Sequence, residues 1–162
     1  MSNTNLFVIL GNQLFNPKLY IKNIHNYDFF MCEDHGLCSY VKHHKLKILH
    51  TLSSMRLYRD ELQDLNLNVT YYEIENKNFY EDYILKLKKI IKKNGYNKLF
   101  FFEIEDKFFE EKIMSLKSKI DIEVLKSPMF LFDRDEFKAT LKENHKPRMA
   151  NFYKFSRKKL NI

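Results

Sequence analysis

The sequence contains few of the residues that build disulfide frameworks, flexible linkers or glycine-rich phosphate sites. Among its 162 residues are two cysteines, three glycines and three prolines. Cys32 and Cys38 do not have the spacing of a metal site, and the four cysteines that an iron–sulfur cluster requires are absent. No GxGxxG or P-loop motif occurs, which excludes the usual glycine-based cradle for a dinucleotide or triphosphate. We expect both cysteines to stay reduced and no metal to bind.

Long apolar runs are absent too, and none approaches the length of a membrane span. The first residues lack the basic segment and cleavage site of a secretory signal. These absences predict a cytoplasmic protein without membrane contact. Hydrophobic residues make up 44% of the chain, which at this length is enough to bury the core of one domain spanning residues 1–162.

The net charge of +7 is concentrated at the end of the chain. Residues 138–162 hold eight Lys or Arg and one acid, whereas residues 1–137 hold equal numbers of each sign. Lysine outnumbers arginine 23 to 5, a bias that weakens the overall basicity as a sign of phosphate binding. The basic segment could face nucleic acid, a partner domain or water.

Apolar runs alternate with helical patterns along the chain, which is typical of a parallel α/β sheet. The runs predict five strands, at 6–10, 28–33, 68–74, 98–104 and 121–125. The helical patterns predict helices at 43–65, 79–93, 107–118, 134–143 and 148–160. We therefore expect an α/β fold, a Rossmann-like, doubly wound, five-stranded parallel sheet in three layers. The expected strand order is 3-2-1-4-5, with helices at the C-terminal end.

Ligands of such sheets bind beyond the carboxyl ends of the strands, where the connecting loops gather. The candidate loops are 11–14, 33–40 and 103–107. In the first loop, the amides of Asn12 and Gln13 can each donate and accept hydrogen bonds, which suits the edge of a heteroaromatic ring. The alternative is a polar turn that caps a helix, and spacing alone favours that alternative.

The most specific string is at residues 39–48, Ser-Tyr-Val-Lys-His-His-Lys-Leu-Lys-Ile, followed by Ser54-Met55-Arg56. It resembles the YVxHHKxKI…AMR signature of the photolyase-related proteins, the bacterial iron–sulfur branch of the cryptochrome/photolyase family. Residues 11–14 resemble that family's G-D-Q-L turn, and residues 148–158 resemble its R-M-E-x-F-Y-R-x-M-R helix. The resemblance covers nearly the whole chain, although between residues 66 and 126 only the strand–helix rhythm persists.

In that family the α/β unit is the N-terminal domain, which holds a light-harvesting antenna pigment. The resemblance therefore implies binding of 6,7-dimethyl-8-ribityllumazine, in light-dependent DNA repair or light sensing. FAD, the iron–sulfur cluster and the repair chemistry belong to a larger helical domain whose sequence is not present here. We expect that helical domain as a separate or deleted partner. We also expect no catalytic residue in this chain and no repair by this chain alone.

The resemblance and the loop positions assign a ligand-binding set: Gly11, Asn12, Gln13, Leu14, Cys32, Glu33, Leu37, Tyr40, His43, His44, Thr51 and Glu103. Asn12, Leu37 and Thr51 differ from the family pattern, and Asn12 replaces the Asp of the G-D-Q-L turn. Leu37 stands where the family has a second acid, which removes a pocket hydrogen bond. Thr51 stands where an aliphatic residue is more common, and Glu103 is the one match to the family's T-E-P-G-E-W turn.

Each of these assignments has a simpler alternative. Cys32 would serve as a small buried core residue, and Glu103 would stabilise the helix that follows it. The pair His43-His44 has no third ligand at helical spacing, so a metal site is not supported. Polar contacts at the start of a helix, with solvated lysines around them, are the alternative for both histidines.

The tail carries residues assigned to a partner or to nucleic acid: Lys146, Arg148, Phe152, Tyr153, Arg157 and Lys158. Aromatic side chains between basic ones could stack on bases. The helical spacing of Met149, Phe152 and Tyr153 instead favours an apolar stripe that docks on another domain. DNA would be reached only through that partner or through the basic tail. The rival function is a stand-alone basic nucleic-acid-binding or regulatory module that has lost its pigment.

Overall fold

A computed structural model describes residues 4–141 and 147–162. Five strands form one sheet in which every neighbouring pair is parallel. The strands are β1 Asn5–Val8, β2 Asp28–Cys32, β3 Val69–Tyr72, β4 Lys98–Phe102 and β5 Asp121–Leu125. Their order is β3-β2-β1-β4-β5. The predicted α/β fold and strand order are confirmed, and β1 to β4 end one or two residues earlier than predicted.

Seven α-helices occur in the described residues: α1 Pro17–Tyr20, α2 His35–Ser39, α3 Lys45–Asp64, α4 Tyr83–Asn94, α5 Lys107–Met114, α6 Arg134–Ala139 and α7 Met149–Leu160. Short 3-10 turns lie at Ile24–Asn26 and Ser115–Ser118. The sequence pattern does not predict α1 or α2, and it extends α6 too far. Within residues 4–141 and 147–162, none of the helices combines the length and the apolar character that crossing a membrane requires.

Side chains at the starts of the helices explain where they begin. His44 accepts a hydrogen bond from a backbone amide in the first turn of α3, and Asp82 and Asp106 do the same for α4 and α5. The helix α4 ends at Gly95, whose φ of 70° lies in the left-handed region that glycine adopts easily. Each of α3, α4 and α5 leads from one parallel strand to the next, so the starts of these helices lie toward the carboxyl edge of the sheet.

Both faces of the three central strands β1, β2 and β4 are buried, which explains the continuous apolar runs in these strands. On one face, side chains of β1, β2 and β4 pack with α4 and α5, and the cluster includes Leu6, Val8, Phe30, Leu87, Ile90, Phe101 and Ile113. On the other face they pack with α3, and the cluster includes Phe7, Ile9, Met31, Met55, Tyr58, Leu62 and Phe102. The sheet is therefore the middle of three layers.

Contacts divide the chain into two compact units, Met1–Leu125 and Lys126–Ile162. The first unit contains the whole sheet and the helices α1 to α5. In the second unit, Asp133 and Glu136 form a capping box at the start of α6. Four phenylalanine rings form the small apolar core of this unit, with centroids 5.2 to 6.4 Å apart: Phe132, Phe137, Phe152 and Phe155.

Candidate functional site

A cavity of about 310 Å³ opens at the carboxyl ends of β1, β2 and β4. The walls are mostly apolar and include Ile9, Leu10, Leu37, Ile48, Leu52, Met55, Tyr83, Ile104 and Phe109. A few polar side chains lie among them, chiefly Asn12, Asp34, His43, Lys47, Thr51 and Asp106. Small-molecule sites have this composition, and parallel sheets place them at this edge.

Gly11 allows the loop after β1 to approach α3 closely. A Cβ atom added to Gly11 would lie 2.8 Å from the Sδ atom of Met55 and 3.0 Å from the Cγ2 atom of Thr51. Both distances are shorter than ordinary contacts between carbon or sulfur atoms, so a larger residue would push the loop away from the helix. Glycine is needed here because of this close approach.

Glu33 is fully buried beneath the cavity, and protein donors occupy its carboxylate. Arg56 donates from Nε at 2.6 Å and from Nη2 at 3.0 Å, the Tyr71 hydroxyl donates at 2.9 Å, and the Ile74 amide donates at 2.7 Å. Burial alone would raise the pKa of the Glu33 carboxyl. The hydrogen bonds from Arg56, Tyr71 and Ile74 outweigh that effect and hold this pKa below its usual value. Glu33 therefore joins β2, α3 and β3, and little of its hydrogen-bonding capacity is left for a ligand.

Asp34 and Lys86 form a second buried ion pair beside the cavity. The Asp34 side chain is 4% exposed and the Lys86 side chain is fully buried. The Lys86 ammonium also donates to the Phe79 carbonyl oxygen at 3.2 Å, and the second Asp34 oxygen accepts the Leu37 amide at 2.9 Å. The pair thus fixes the start of α2 to α4.

Two cysteine thiols border the cavity, Cys32 in a buried position and Cys38 in a half-buried one. Burial raises the pKa of both thiols, and the negative charge of Asp34 adds to the effect. Both thiols are therefore protonated at neutral pH, and neither is an activated nucleophile. The interpretation of Cys32 as a small buried residue agrees with its position.

The structure brings most of the predicted ligand-binding residues together. Those that line the cavity are Gly11, Asn12, Cys32, Glu33, Leu37, Tyr40, His43 and Thr51. They come from three separate parts of the chain: the loop after β1, the segment containing α2, and the start of α3. These parts of the chain lie around one cleft, and their role in ligand binding stays a prediction.

The other four predicted residues lie outside the lining. Gln13 is buried and donates from Nε2 to the Glu103 carbonyl oxygen at 2.7 Å. Leu14 packs against the core on the α3 side of the sheet. The Nδ1 atom of His44 accepts the Leu46 amide at 3.2 Å, so His44 makes the helix-start contact that was the alternative for it. Glu103 accepts the Gln13 amide through its backbone, directly after β4.

Sequence reasoning missed several cavity residues on α3. Lys47, Ile48 and Met55 line the cavity together with His43 and Thr51. Lys47, Thr51 and Met55 follow one another at intervals of four residues, and Ile48 lies three residues before Thr51, so these four share one face of α3. That helical spacing was visible in the sequence and could have extended the predicted site. Across residues 4–141 and 147–162, no group of three or more His, Cys, Asp or Glu could hold a metal ion.

A family model described as deoxyribodipyrimidine photo-lyase-related protein matches residues 7–162. The chain belongs to this family. The match includes every residue that lines the cavity of this photolyase-related chain. No curated protein matched the chain. Family membership confirms the broader part of the resemblance, and the antenna role and its pigment stay predictions.

The tail of this photolyase-related chain has a mixed surface. Met149 and Tyr153 are 78% and 60% exposed on α7, whereas Phe152 is half-buried among the phenylalanine rings of its own unit. The predicted docking stripe is therefore reduced to Met149 and Tyr153. The Arg157 guanidinium lies 5.9 Å from the centre of the Tyr153 ring, and Arg148 and Lys158 are exposed. Lys146 lies outside the described residues.

Proposed function

We propose that this photolyase-related chain is an antenna-chromophore-binding α/β domain whose cavity takes a lumazine-type ligand, 6,7-dimethyl-8-ribityllumazine. The observation that carries the proposal is the convergence of Gly11–Asn12, the α2 segment and the start of α3 on one apolar cavity. Two of these stretches belong to segments that resemble the family, residues 11–14 and 39–48, and both contribute to the same cavity. The ligand would serve light-dependent DNA repair or light sensing.

The cavity residues suit a flat heteroaromatic ring. Apolar side chains such as Ile48, Met55 and Phe109 would cover the faces of the ring, while polar groups would meet its edge. Glu33 is held by Arg56 and Tyr71, so the polar groups for this purpose are the Thr51 hydroxyl and the Asn12 amide. The Nδ2 atom of Asn12 donates to Glu105 at 3.2 Å, which leaves its Oδ1 atom to accept from a ligand. The volume of about 310 Å³ lies at the small end of the range for ligand sites, which favours a small ring system.

The catalytic parts of a photolyase-related protein would lie in a helical domain outside residues 1–162. FAD and an iron–sulfur cluster would belong to that domain, and DNA would be reached through it or through the basic tail. Cys32 and Cys38 border the antenna cavity and supply too few thiolates for a cluster. The contribution of this chain is to bind and orient the pigment and to exclude water from its ring.

A matched pair of tryptophan variants tests the proposal. Ile48 lines the cavity, while the next residue, Leu49, is 62% exposed and does not. The chain has no Trp, so Ile48→Trp and Leu49→Trp each add a single fluorescent reporter to the same helix. Ribityllumazine should quench the tryptophan fluorescence of Leu49→Trp, and the quenching should saturate with the affinity of the wild-type chain. In Ile48→Trp the added ring fills the cavity, and affinity should fall about tenfold or more.

Two results would contradict the antenna proposal. One is the absence of saturable ribityllumazine binding by the wild-type chain at high micromolar ligand. The other is equal affinity of Ile48→Trp and Leu49→Trp, which would place any binding outside the cavity. Circular dichroism of both variants provides the check that each remains folded.

The exposed basic face of α7 favours a second candidate, a nucleic-acid-binding module. Lys154, Arg157 and Lys158 are exposed there beside the ring of Tyr153. This candidate predicts salt-dependent binding of labelled single-stranded or duplex DNA that is lost when the three basic residues are changed to Gln. DNA binding of this kind, together with no ribityllumazine binding, would favour the module over the antenna domain.

A further inference from the structure

The hydroxyl of Tyr83 is an exception among the buried tyrosines of the described residues. The buried Tyr58 donates to the Phe15 carbonyl oxygen at 2.6 Å. The buried Tyr96 donates to an Asp28 carboxylate oxygen, also at 2.6 Å. The Tyr83 hydroxyl is equally buried, but it has no oxygen or nitrogen partner in the described parts of the chain. A buried hydroxyl without such a partner costs stability that a phenylalanine would not cost, so its presence here requires an explanation.

The hydroxyl end of Tyr83 lies at the wall of the cavity. Tyr83 lines the cavity, and its hydroxyl interacts with the Cys32 thiol, a weak hydrogen-bonding group that lines the same cavity. The Tyr83 ring packs edge-on against Phe30 and Phe109, with ring centroids 5.9 and 5.0 Å away. These two rings hold the phenol in place. A ligand in the cavity therefore meets a positioned hydroxyl group that lacks a strong acceptor.

This hydroxyl is a hydrogen-bond donor at neutral pH. Burial raises the pKa of Tyr83 well above its ordinary value of 10.0, and the neighbouring Cys32 and Asp34 act in the same direction, so the phenol stays protonated. Asn12 has the complementary character, because its Nδ2 atom donates to Glu105 and its Oδ1 atom is left to accept. The cavity lining thus combines a donor from Tyr83 with an acceptor from Asn12.

We propose that Tyr83 is a ligand-binding residue of the cavity and that its hydroxyl donates a hydrogen bond to a carbonyl oxygen of the ligand ring. The inference rests on the proposed function, since it names a contact with the lumazine-type ligand in the same cavity. The pyrimidine edge of a lumazine ring carries carbonyl oxygens beside an N–H group, so its recognition requires both a donor and an acceptor. Binding supplies the strong acceptor that the Tyr83 hydroxyl lacks among the described residues.

A matched pair of phenylalanine variants tests the inference, because each variant removes one hydroxyl from a buried ring. In Tyr83→Phe the affinity for 6,7-dimethyl-8-ribityllumazine should fall about three- to tenfold, the loss expected for one hydrogen bond. The melting temperature of this variant should equal or exceed that of the wild type, since removing an unpartnered buried hydroxyl costs the fold nothing.

The control is Tyr96→Phe. It removes the hydrogen bond to Asp28, so its melting temperature should fall. Its affinity for ribityllumazine should not change, because Tyr96 does not line the cavity.

Infrared spectroscopy of the bound ligand provides a readout that a structural role of Tyr83 would not change. A hydrogen bond lowers the stretching frequency of the carbonyl group that accepts it. The carbonyl band of bound ribityllumazine should therefore lie at a higher frequency in Tyr83→Phe than in the wild type, and it should not move in Tyr96→Phe. Isotope labelling of the ring carbonyls identifies the band.

The outcomes separate this inference from the antenna proposal. If the wild-type chain binds ribityllumazine, unchanged affinity or an unmoved carbonyl band in Tyr83→Phe overturns the role of Tyr83 and leaves the antenna proposal standing. A melting temperature of Tyr83→Phe as low as that of Tyr96→Phe would show that the hydroxyl already bonds to the protein, which also overturns the inference. If the wild-type chain does not bind ribityllumazine, both proposals fall.

Discussion

The carboxylate of Glu33 joins three elements below the cavity, so its charge contributes to folding stability. Arg56 holds both of its oxygens, and the hydroxyl of Tyr71 and the amide of Ile74 complete the set. The Arg56 side chain is 36% exposed, so solvent screens part of this ion pair. The hydrogen bonds from Tyr71 and Ile74 are shielded from solvent. The main role of Glu33 is therefore to stabilise the fold, and contact with a ligand is a minor one.

Replacing Glu33 by Gln should lower the free energy of unfolding by about 1–3 kcal/mol at neutral pH, because buried donors lose a charged acceptor. The folded-state pKa of Glu33 lies below its ordinary value of 4.5. Its stabilisation is therefore complete above that value and is lost as pH falls through the lowered folded-state pKa. Urea unfolding of wild type and variant should show a stability gap that closes in acid.

The matched control for this prediction is Glu75→Gln. Glu75 also contacts Arg56, at 3.4 Å, but its side chain is 69% exposed, so the change should cost less than about 0.5 kcal/mol. The difference in unfolding free energy between wild type and Glu33→Gln should shrink in acid. A difference that is the same at neutral and acidic pH would show that the charge of Glu33 does not stabilise the fold.

Gly11 is the second residue whose position determines the shape of the site. In Gly11→Ala the new methyl group would contact Met55 and Thr51 at less than ordinary distances. Stability should fall by about 1–3 kcal/mol, and ligand affinity should fall because the displaced side chains border the cavity. Thermal unfolding and ribityllumazine titration measure the two effects.

Gly95→Ala provides the comparison. Gly95 has a positive φ at the end of α4, and an added Cβ would meet no atom within 4 Å. This change should cost about 1 kcal/mol through backbone strain and leave ligand affinity unchanged. Full ligand affinity in Gly11→Ala would mean that the close approach to α3 does not shape the binding site.

At the scale of elements, the short helix α2 has more influence on the cavity than its length suggests. It contributes Leu37 and Cys38 to the cavity, and Leu37 and Tyr40 also border a second cavity of about 410 Å³. A helix of five residues has little stability of its own. The buried Asp34–Lys86 ion pair therefore determines where α2 lies.

Lys86→Met should destabilise the protein by about 3–5 kcal/mol, because it leaves the Asp34 carboxylate buried without a cation. The double variant Asp34→Asn with Lys86→Met should regain most of this loss, since Asn removes the charge and still caps α2. Chemical denaturation of both single variants and the double variant gives the coupling energy. Strict additivity of the two changes would contradict a buried ion pair.

The regular elements could be predicted because their signals are local. Strands β1, β2 and β4 have apolar side chains on both faces, and α3 and α4 repeat apolar residues at helical spacing. The helices α1 and α2 span four and five residues, too few for periodicity to appear. The helix α4 begins later than predicted because Asp82 caps its first turn.

The polar partners beneath the site could not be predicted from local patterns. Glu33 and Arg56 are 23 residues apart, and their contact depends on how α3 crosses the sheet. Lys86 is one of five lysines in α4. It lies three residues after Tyr83 and four before Ile90, both buried, and this helical spacing is the one local sign that it faces the core. The pairing of these charges is a consequence of the tertiary fold.

At the scale of the whole molecule, the basic segment and the apolar cavity belong to different units of the chain. The basic segment at the end of the chain belongs to the unit Lys126–Ile162, while every residue of the cavity belongs to Met1–Leu125. The sequence pointed to the cavity residues and to the basic segment, but it could not say which of these two features binds a ligand. Membership in the photolyase-related family is compatible with a role for either feature. A measurement of where the ligand binds therefore distinguishes the antenna domain from the nucleic-acid-binding module.

The most direct test is an NMR titration of the isotope-labelled chain with 8-ribityllumazine, which reports binding residue by residue. Saturable shifts are predicted for the backbone amides of Gly11, Leu37 and Thr51, with the amides of α7 unchanged. Addition of a DNA oligonucleotide should not reproduce the shifts at the cavity. The absence of any shift with ribityllumazine, or shifts confined to α7, would contradict the antenna-binding function.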